Sequence, residues 1–182
     1  GLQRRPEDVS LNHRMGQILR DRGNAAEAVA YLRRATKTKE SFASYTSLAD
    51  LYLQLGEVHQ AVEVMSRYPG PKDKPAYHNV MGNIARIQER FIEAEKHFAT
   101  CEQSGDRGVR TYGSIAQLRL DQGRKALEAA AWESALAYVT QAEVAVEKGL
   151  RVEAENRALV RLKKDAGSMR LAALEKLGTK GA

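Results

Sequence analysis

The clearest indication of the fold is the stretch YTSLADLYLQLGEVHQAVEVM, residues 45–65. Its apolar and small residues recur at spacings of three and four, the period of an α-helix, on both sides of Gly56. Glycine readily takes the left-handed backbone conformation that ends a helix. We therefore predict two helices joined by a tight turn, whose buried faces consist of Tyr45, Leu48, Ala49, Tyr52, Ala61 and Met65.

The same pattern returns at a period of about 34 residues. One copy precedes this stretch, a complete copy follows it, and a fourth begins after that. The matching residues are Gly16, Gly23, Ala28, Leu32 and Ala35, then His78, Met81, Gly82, Ala85, Phe91, Ala94, Phe98 and Cys101, then Tyr112, Ile115, Ala116 and Gly123. Small residues recur where the two helices of a pair would cross, because a bulkier side chain there would push the backbones apart. Each copy is therefore predicted to be a helix-turn-helix pair.

These residues resemble the tetratricopeptide repeat family, whose pattern has small residues at the helix crossing and a turn residue between the two helices. The resemblance implies an all-α fold, a right-handed superhelical solenoid of antiparallel helix pairs, with about four pairs and a C-terminal capping helix. The pairs are expected at residues 9–41, 42–74, 75–108 and 109–150, within a single domain that spans residues 1–182. Asn12 and His78 replace the usual aromatic residue of the pattern, and Glu89 replaces the turn glycine.

Beyond Gly123 the pattern shifts by seven residues. Its next members are Trp132, Ala135, Val139 and Ala142. Seven residues make about two helical turns, so both helices of the fourth pair can lengthen and keep their inward faces. We therefore expect two long helices, a turn, and a final helix at residues 155–178 that caps the stack. The inward stripe of the final helix consists of Leu159, Leu162, Ala166, Met169, Ala173 and Leu177.

The composition is that of a helical and moderately basic chain, with a formal net charge of +6 and a pI near 9.5. No apolar run approaches the ~20 residues that span a bilayer, so no membrane span is expected. The one cysteine, Cys101, excludes an internal disulfide framework without fixing the compartment. Since the sequence begins with Gly1 rather than methionine, a fragment or a processed form is one expectation; the location stays unknown, with the cytoplasm favoured.

The sequence has no motif that would support catalysis or hold a cofactor. His97 and Cys101 are spaced like two metal ligands on one helix, but no second pair completes a site, so no metal is expected. No serine or cysteine stands in a motif of an activated nucleophile, and the glycines fall at helix ends and crossings rather than in a phosphate loop. We expect neither enzyme activity nor a cofactor.

The resemblance also implies a binding surface, because in this family the first helices of successive pairs line a concave groove that binds a segment of another protein. Amide side chains can satisfy the backbone of a bound peptide, and arginines can pair with its carboxylates. Some members clamp a C-terminal carboxylate with paired lysines and asparagines. That clamp is not expected here, since the first repeat has His13 and Gln17 where the clamp has a lysine and an asparagine. The candidate groove residues are His13, Gln17, Arg20, Thr46, Asp50, Asn79, Asn83, Arg86, Arg110 and Gln117.

We therefore expect a non-catalytic adaptor or scaffold that binds another protein or a peptide segment. Two alternatives stay open. The basic residues between positions 107 and 125 and along the last helix could bind nucleic acid or another anionic surface. No aromatic residues interleave with them to stack on bases, so nucleic acid is not the expected partner. The long helices after Gly123 and the open ends of a solenoid could instead mediate self-association of a structural subunit.

Overall fold

The computed structural model describes residues 8–37 and 41–180, except for the side chains of residues 179 and 180. Over these residues the chain forms nine α-helices and no strand, so the predicted all-α fold class is confirmed. The helices are α1 (Val9–Asp21), α2 (Ala25–Ala35), α3 (Phe42–Gln54), α4 (Val58–Ser66), α5 (Pro75–Ile87), α6 (Phe91–Gln103), α7 (Val109–Glu128), α8 (Trp132–Val152) and α9 (Arg157–Lys180). Two of these helices occupy each residue range predicted for a repeat, and α8 extends slightly beyond the fourth range.

Left-handed residues make the tight turns between paired helices. Gly23 has a φ of 79° and Gly56 a φ of 77°, as the sequence predicts. Glu89 and Ala130 take the same conformation, with φ of 58° and 55°, although both have a side chain. A Cβ atom makes this conformation less favourable, so these two turns are locally strained where a glycine would not be.

The starts of α2 and α5 have features that stabilise the first turn of a helix, and the start of α3 does not. The side chain of Asn24 accepts a hydrogen bond from the backbone N–H of Glu27 and donates one to the Glu27 carboxylate. Pro75 is the first residue of α5, where its missing N–H costs no helical hydrogen bond. Ser41 stands at the cap position of α3 but its hydroxyl makes no capping hydrogen bond. It bonds to the hydroxyl of Ser44 instead.

The chain divides into two compact units at the boundary between Ile87 and Gln88. The first unit contains α1 to α5, in which α1 packs on α2, α3 packs on α4, and α3 also contacts α1, α2 and α5. Its core contains Ala28, Leu32, Leu48, Ala49, Leu51, Tyr52, Ala61, Met65, Tyr68, Val80 and Ile84. The single domain expected over residues 1–182 stays a prediction.

The second unit contains α6 to α9, in which α6 packs on α7, α7 on α8, and α9 on both α7 and α8. Helices α7 and α8 have 20 and 21 residues, compared with 13 for α1, α3 and α5. Because α7 and α8 are longer, they offer α9 a longer packing surface, on which Leu159, Ala166 and Ala173 are buried. Among the described residues, none of the helices combines the length and the hydropathy that crossing a bilayer requires.

Candidate functional site

The first helices of the first unit present one continuous side, because α3 contacts both α1 and α5. The candidate groove residues of this unit are the fifth, ninth and twelfth residues of these helices, a spacing that puts them on one face. We call the set of such residues the first-helix face. It consists of His13, Gln17 and Arg20 on α1, Thr46, Asp50 and Leu53 on α3, and Asn79, Asn83 and Arg86 on α5.

Along α5, three of these side chains form a hydrogen-bonded ladder. The amide nitrogen of Asn83 donates to the carbonyl oxygen of Asn79 at 3.0 Å and to its side-chain oxygen at 3.3 Å. The Nε of Arg86 donates to the side-chain oxygen of Asn83 at 3.3 Å. The ladder fixes the Asn83 amide and the Arg86 guanidinium in defined orientations, which lowers the entropy cost of binding a ligand.

Two members of the first-helix face are buried. Asn79 is 1% exposed and Thr46 is 5% exposed, and the Thr46 hydroxyl donates to the backbone carbonyl of Ala43. Side chains this deeply buried position their neighbours but leave little surface for a partner. The half-buried Gln17, Asp50, Asn83 and Arg86 present the accessible polar surface.

At the other side of this face, a chain of hydrogen bonds joins α1 to α3. The hydroxyl of Ser41 bonds to that of Ser44, whose Oγ lies 2.9 Å from Nδ1 of His13. Burial first, and the charge of Arg20 second, lower the pKa of His13 below its usual value of 6.5. The imidazole is therefore neutral at pH 7, which fits its role as acceptor for the Ser44 hydroxyl.

Sequence reasoning missed the two serines, which line a depression of about 560 Å³ between α1 and α3. The only sequence signal for Ser44 is a polar residue among apolar helix positions, and that signal does not identify its partner 31 residues away. The depression is lined by Val9, Ser10, His13, Arg14, Ser41, Phe42, Ala43 and Ser44.

The two remaining candidate groove residues belong to the second unit and lie on α7. Arg110 is exposed, and the amide of Gln117 donates to a carboxylate oxygen of Asp121 at 3.1 Å. The same oxygen of Asp121 pairs with Arg124 at 3.0 Å. Arg110 and Gln117 are seven residues apart on the helix, so they share one side of α7.

Ion pairs neutralise much of the basic cluster that the sequence places between residues 107 and 125. Arg119 pairs with Glu95, Arg124 with Asp121, and Lys125 with Glu89 at 2.8 Å. A phosphate backbone would have to compete with these carboxylates for the same cations. The cluster is therefore a poorer candidate for nucleic-acid binding than its residue count indicates.

Two side chains that could act as nucleophiles, Ser44 and Cys101, are both buried. Ser44 lies within hydrogen-bond distance of a histidine, but it is only 1% exposed, so its Oγ cannot reach a substrate. Cys101 is fully buried, and this burial, with the charge of Asp106, raises the pKa of its thiol to about 11. Over the described residues, no group of three or more histidine, cysteine, aspartate or glutamate side chains is arranged to hold a metal ion.

Comparison with known proteins shows a family to which part of the chain is similar. Residues 19–84 match the model of the tetratricopeptide repeat. The structure is similar to a chain of the APC/C hetero-tetramer Cut9-Hcn1, with a TM-score of 0.58 and 14% identity; the match covers 91% of this chain and 37% of that one. The chain thus spans little more than a third of that relative.

Two further solved structures match over nearly their whole length. YrrB, described as a TPR protein with an unusual peptide-binding site, has a TM-score of 0.58 and 10% identity, and the match covers 100% of this chain and 96% of YrrB. The MamA protein has a TM-score of 0.53 and 13% identity, with 97% and 95% covered. No curated protein sequence matches the chain. Residues 19–84 are thus similar to the tetratricopeptide repeat, and the described chain has the all-α fold of tetratricopeptide repeat proteins.

Proposed function

We propose that this chain is a non-catalytic adaptor or scaffold that binds a segment of a partner protein on the first-helix face of its first unit. Proteins with this fold act as protein-interaction modules, and one protein of similar structure, YrrB, has a peptide-binding site. The observation that carries the proposal is the pre-ordered ladder of Asn79, Asn83 and Arg86 on α5, a helix that packs on α3.

The chemistry of the face favours an extended polar segment. Asn83 and Gln17 have amide groups that can both donate to and accept from a peptide backbone, whatever its side chains. Arg20 and Arg86 supply a guanidinium group at the end of α1 and of α5, where each can pair with a carboxylate of the segment. Arg20 already pairs with Asp21 at 2.9 Å, so its contact with a ligand would exchange one carboxylate for another.

Affinity capture from the native organism, with two charge-matched variants, tests this proposal. The face variant is Arg20→Ala with Arg86→Ala, and the control variant is Arg22→Ala with Arg67→Ala. Arg22 and Arg67 are exposed, and both lie just past a helix end, Arg22 after α1 and Arg67 after α4, outside the first-helix face. Each variant therefore loses two positive charges, but only the first changes the face.

We expect the native chain and the control variant to retain the same partner, and the face variant to lose it. Removing two charge-assisted hydrogen bonds weakens binding by about tenfold each. Equal retention of the partner by both variants would contradict the proposal. Circular dichroism of both variants checks that the helices are intact.

Nucleic-acid binding is not proposed as a second function. The cations Arg119, Arg124 and Lys125 are paired with carboxylates, as described above. The basic residues at the start of α9 have no carboxylate partner in the described part of the chain, but they surround an apolar stripe rather than aromatic rings.

A further inference from the structure

Helix α9 continues the stacking of the fourth pair in the register of a first helix. The third residue of α3 is Ser44, which contacts His13 of the preceding pair. The third residue of α9 is Leu159, which lies against Gly113 of α7 and Gly149 of α8. Both third residues are 1% exposed. Helix α9 therefore packs on the pair before it through its third residue, as α3 does.

The eighth residue of α1 and that of α7 lie against the second helix of the same pair. They are Gly16 and Ala116, and both are buried. In α1 the contact is so close that a Cβ on Gly16 would lie 2.6 Å from Cγ of Leu32, on α2. The eighth residue of α9 is Lys164, and it is exposed. Within the described part of the chain, no second helix covers this side of α9.

The side of α9 that has no second helix carries large apolar residues. Val160 is 51% exposed, Leu171 69% and Leu174 46%. Between them lies Gly167, which has no side chain, and the space beside it is open because a Cβ built there meets no atom within 4 Å. We call Val160, Lys164, Gly167, Leu171 and Leu174 the outer stripe of α9. Their spacings of four and three put them on one side of the helix, as in the seam of a helix pair.

The first half of α9 surrounds this stripe with positive charge. Arg157, Arg161, Lys163 and Lys164 are exposed, and no described carboxylate forms an ion pair with them. The sequence of α9 contains seven lysine and arginine residues and only two carboxylates, Asp165 and Glu175. Packing a second copy of α9 against the first would bring two strongly basic helices together, which like-charge repulsion opposes.

We propose that the outer stripe of α9 docks an acidic amphipathic helix of a partner protein, which takes the place of the second helix of a fifth pair. An antiparallel helix, oriented like α2 against α1, would place its apolar residues on Leu171 and Leu174. Its carboxylates would then lie beside the basic first half of α9, and a small residue would cross Gly167. This surface is separate from the first-helix face and extends the proposed function.

Helix α9 does not need this partner in order to fold. Leu159, Ala166 and Ala173 are buried against α7 and α8. The Nε of Arg170 donates to the carboxylate of Glu143 on α8 at 2.9 Å. The side chain of Asn156 accepts a hydrogen bond from the N–H of Leu159 at the start of the helix. Substitutions in the outer stripe therefore leave the packing of α9 intact.

A synthetic peptide of about 20 residues tests the proposal against the full chain. The peptide is an amphipathic helix with leucines on one side, an alanine at its centre and glutamates on both flanks of the leucines. Its control has lysines in place of the glutamates. We expect the acidic peptide to bind at about 100 μM or tighter, and the basic peptide not to bind in that range. Absence of binding by the acidic peptide, or equal binding of both peptides, would overturn the proposal.

Two variants of the chain locate the binding. Leu171→Ser removes a leucine of the outer stripe, and we expect it to weaken binding of the acidic peptide by about tenfold or more. Ile92→Ser is the matched control, because Ile92 is 74% exposed but lies on α6. Equal effects of the two substitutions would contradict the assignment to α9. Analytical ultracentrifugation checks for self-association. If the native chain sediments as a dimer and Leu171→Ser dissociates it, the outer stripe binds a second copy of this chain, and the proposal of an acidic partner is wrong.

Discussion

Oγ of Ser44 lies 2.9 Å from Nδ1 of His13, and this contact joins the first helices of two successive pairs. Ser44 is buried, with 1% of its surface exposed, and His13 is partly buried. Burial and the charge of Arg20 disfavour protonation of the imidazole, so the packing of α1 on α3 favours its neutral form. We therefore expect the stacking of repeats that creates the first-helix face to weaken as the pH falls.

The pKa of His13 predicts the direction of that response. Burial lowers the pKa of His13 in the folded chain, and burial also lowers that of His78. The unfolded chain binds more protons as the pH falls below about 6.5, so the free energy of unfolding decreases there. We expect His13→Gln to be less stable at pH 7.5 but to lose less stability between pH 7.5 and 5. Urea unfolding at several pH values measures this, and an unchanged pH dependence would contradict it.

Cys101 is predicted to be inert in the native protein. Its side chain is fully buried and its pKa is raised to about 11, first by burial and then by the nearby charge of Asp106. Because the thiolate is the reactive form, an aromatic disulfide reagent at pH 8 should label Cys101 at the rate of unfolding rather than at the rate of an open thiol. Addition of denaturant should restore fast labelling. Rapid labelling without denaturant would show that the thiol is not buried.

Two glycines test whether close helix crossings control stability. In a helix, Gly→Ala normally stabilises by about 0.5–1 kcal/mol. At Gly16 the new Cβ would lie 2.6 Å from Cγ of Leu32 and 3.3 Å from the backbone oxygen of Ala28, and relieving such overpacking costs about 1–3 kcal/mol. We expect Gly16→Ala to be net destabilising. Gly167→Ala is the control, because its Cβ meets no atom within 4 Å, and it should stabilise. Thermal unfolding of both variants decides the sign.

The turn between α7 and α8 should become more stable when its left-handed residue becomes a glycine. Ala130 has a φ of 55°, which costs an alanine about 1 kcal/mol relative to glycine. Ala130→Gly is therefore expected to stabilise the chain by about 0.5–1 kcal/mol. At the preceding residue, Ala129, φ is −84°, so Ala129→Gly should destabilise or have no effect. Stabilisation by the second substitution but not the first would show that the turn is not strained.

The periodic features of this fold could be read from the sequence. Helix pairs repeat along the chain, so a small residue at the same position of each copy predicts a close helix crossing there. These residues are Gly16, Ala49, Gly82 and Ala116. The shift of seven residues after Gly123 indicated long helices, and α7 and α8 have 20 and 21 residues. Such predictions depend only on local spacing, which a single sequence contains in full.

Contacts between distant residues could not be read in the same way. The spacing of Asn79 and Thr46 put them on the first-helix face, but burial depends on the neighbouring helix, and both side chains are buried. Pairing of Ser44 with His13 is a contact between repeats, which no spacing rule identifies. The exposed leucines of α9 were likewise hidden, because the sequence shows an apolar residue but not whether another helix covers it.

Site-specific crosslinking from Gln17 tests the binding role of the first-helix face most directly. A photoreactive amino acid would replace Gln17, which is half-buried on that face, or in the control His59, which is exposed on α4. With extract from the native organism, we predict one defined crosslinked protein from position 17 and none from position 59. No crosslinked protein from position 17, or the same proteins from both positions, would contradict the role proposed for this face.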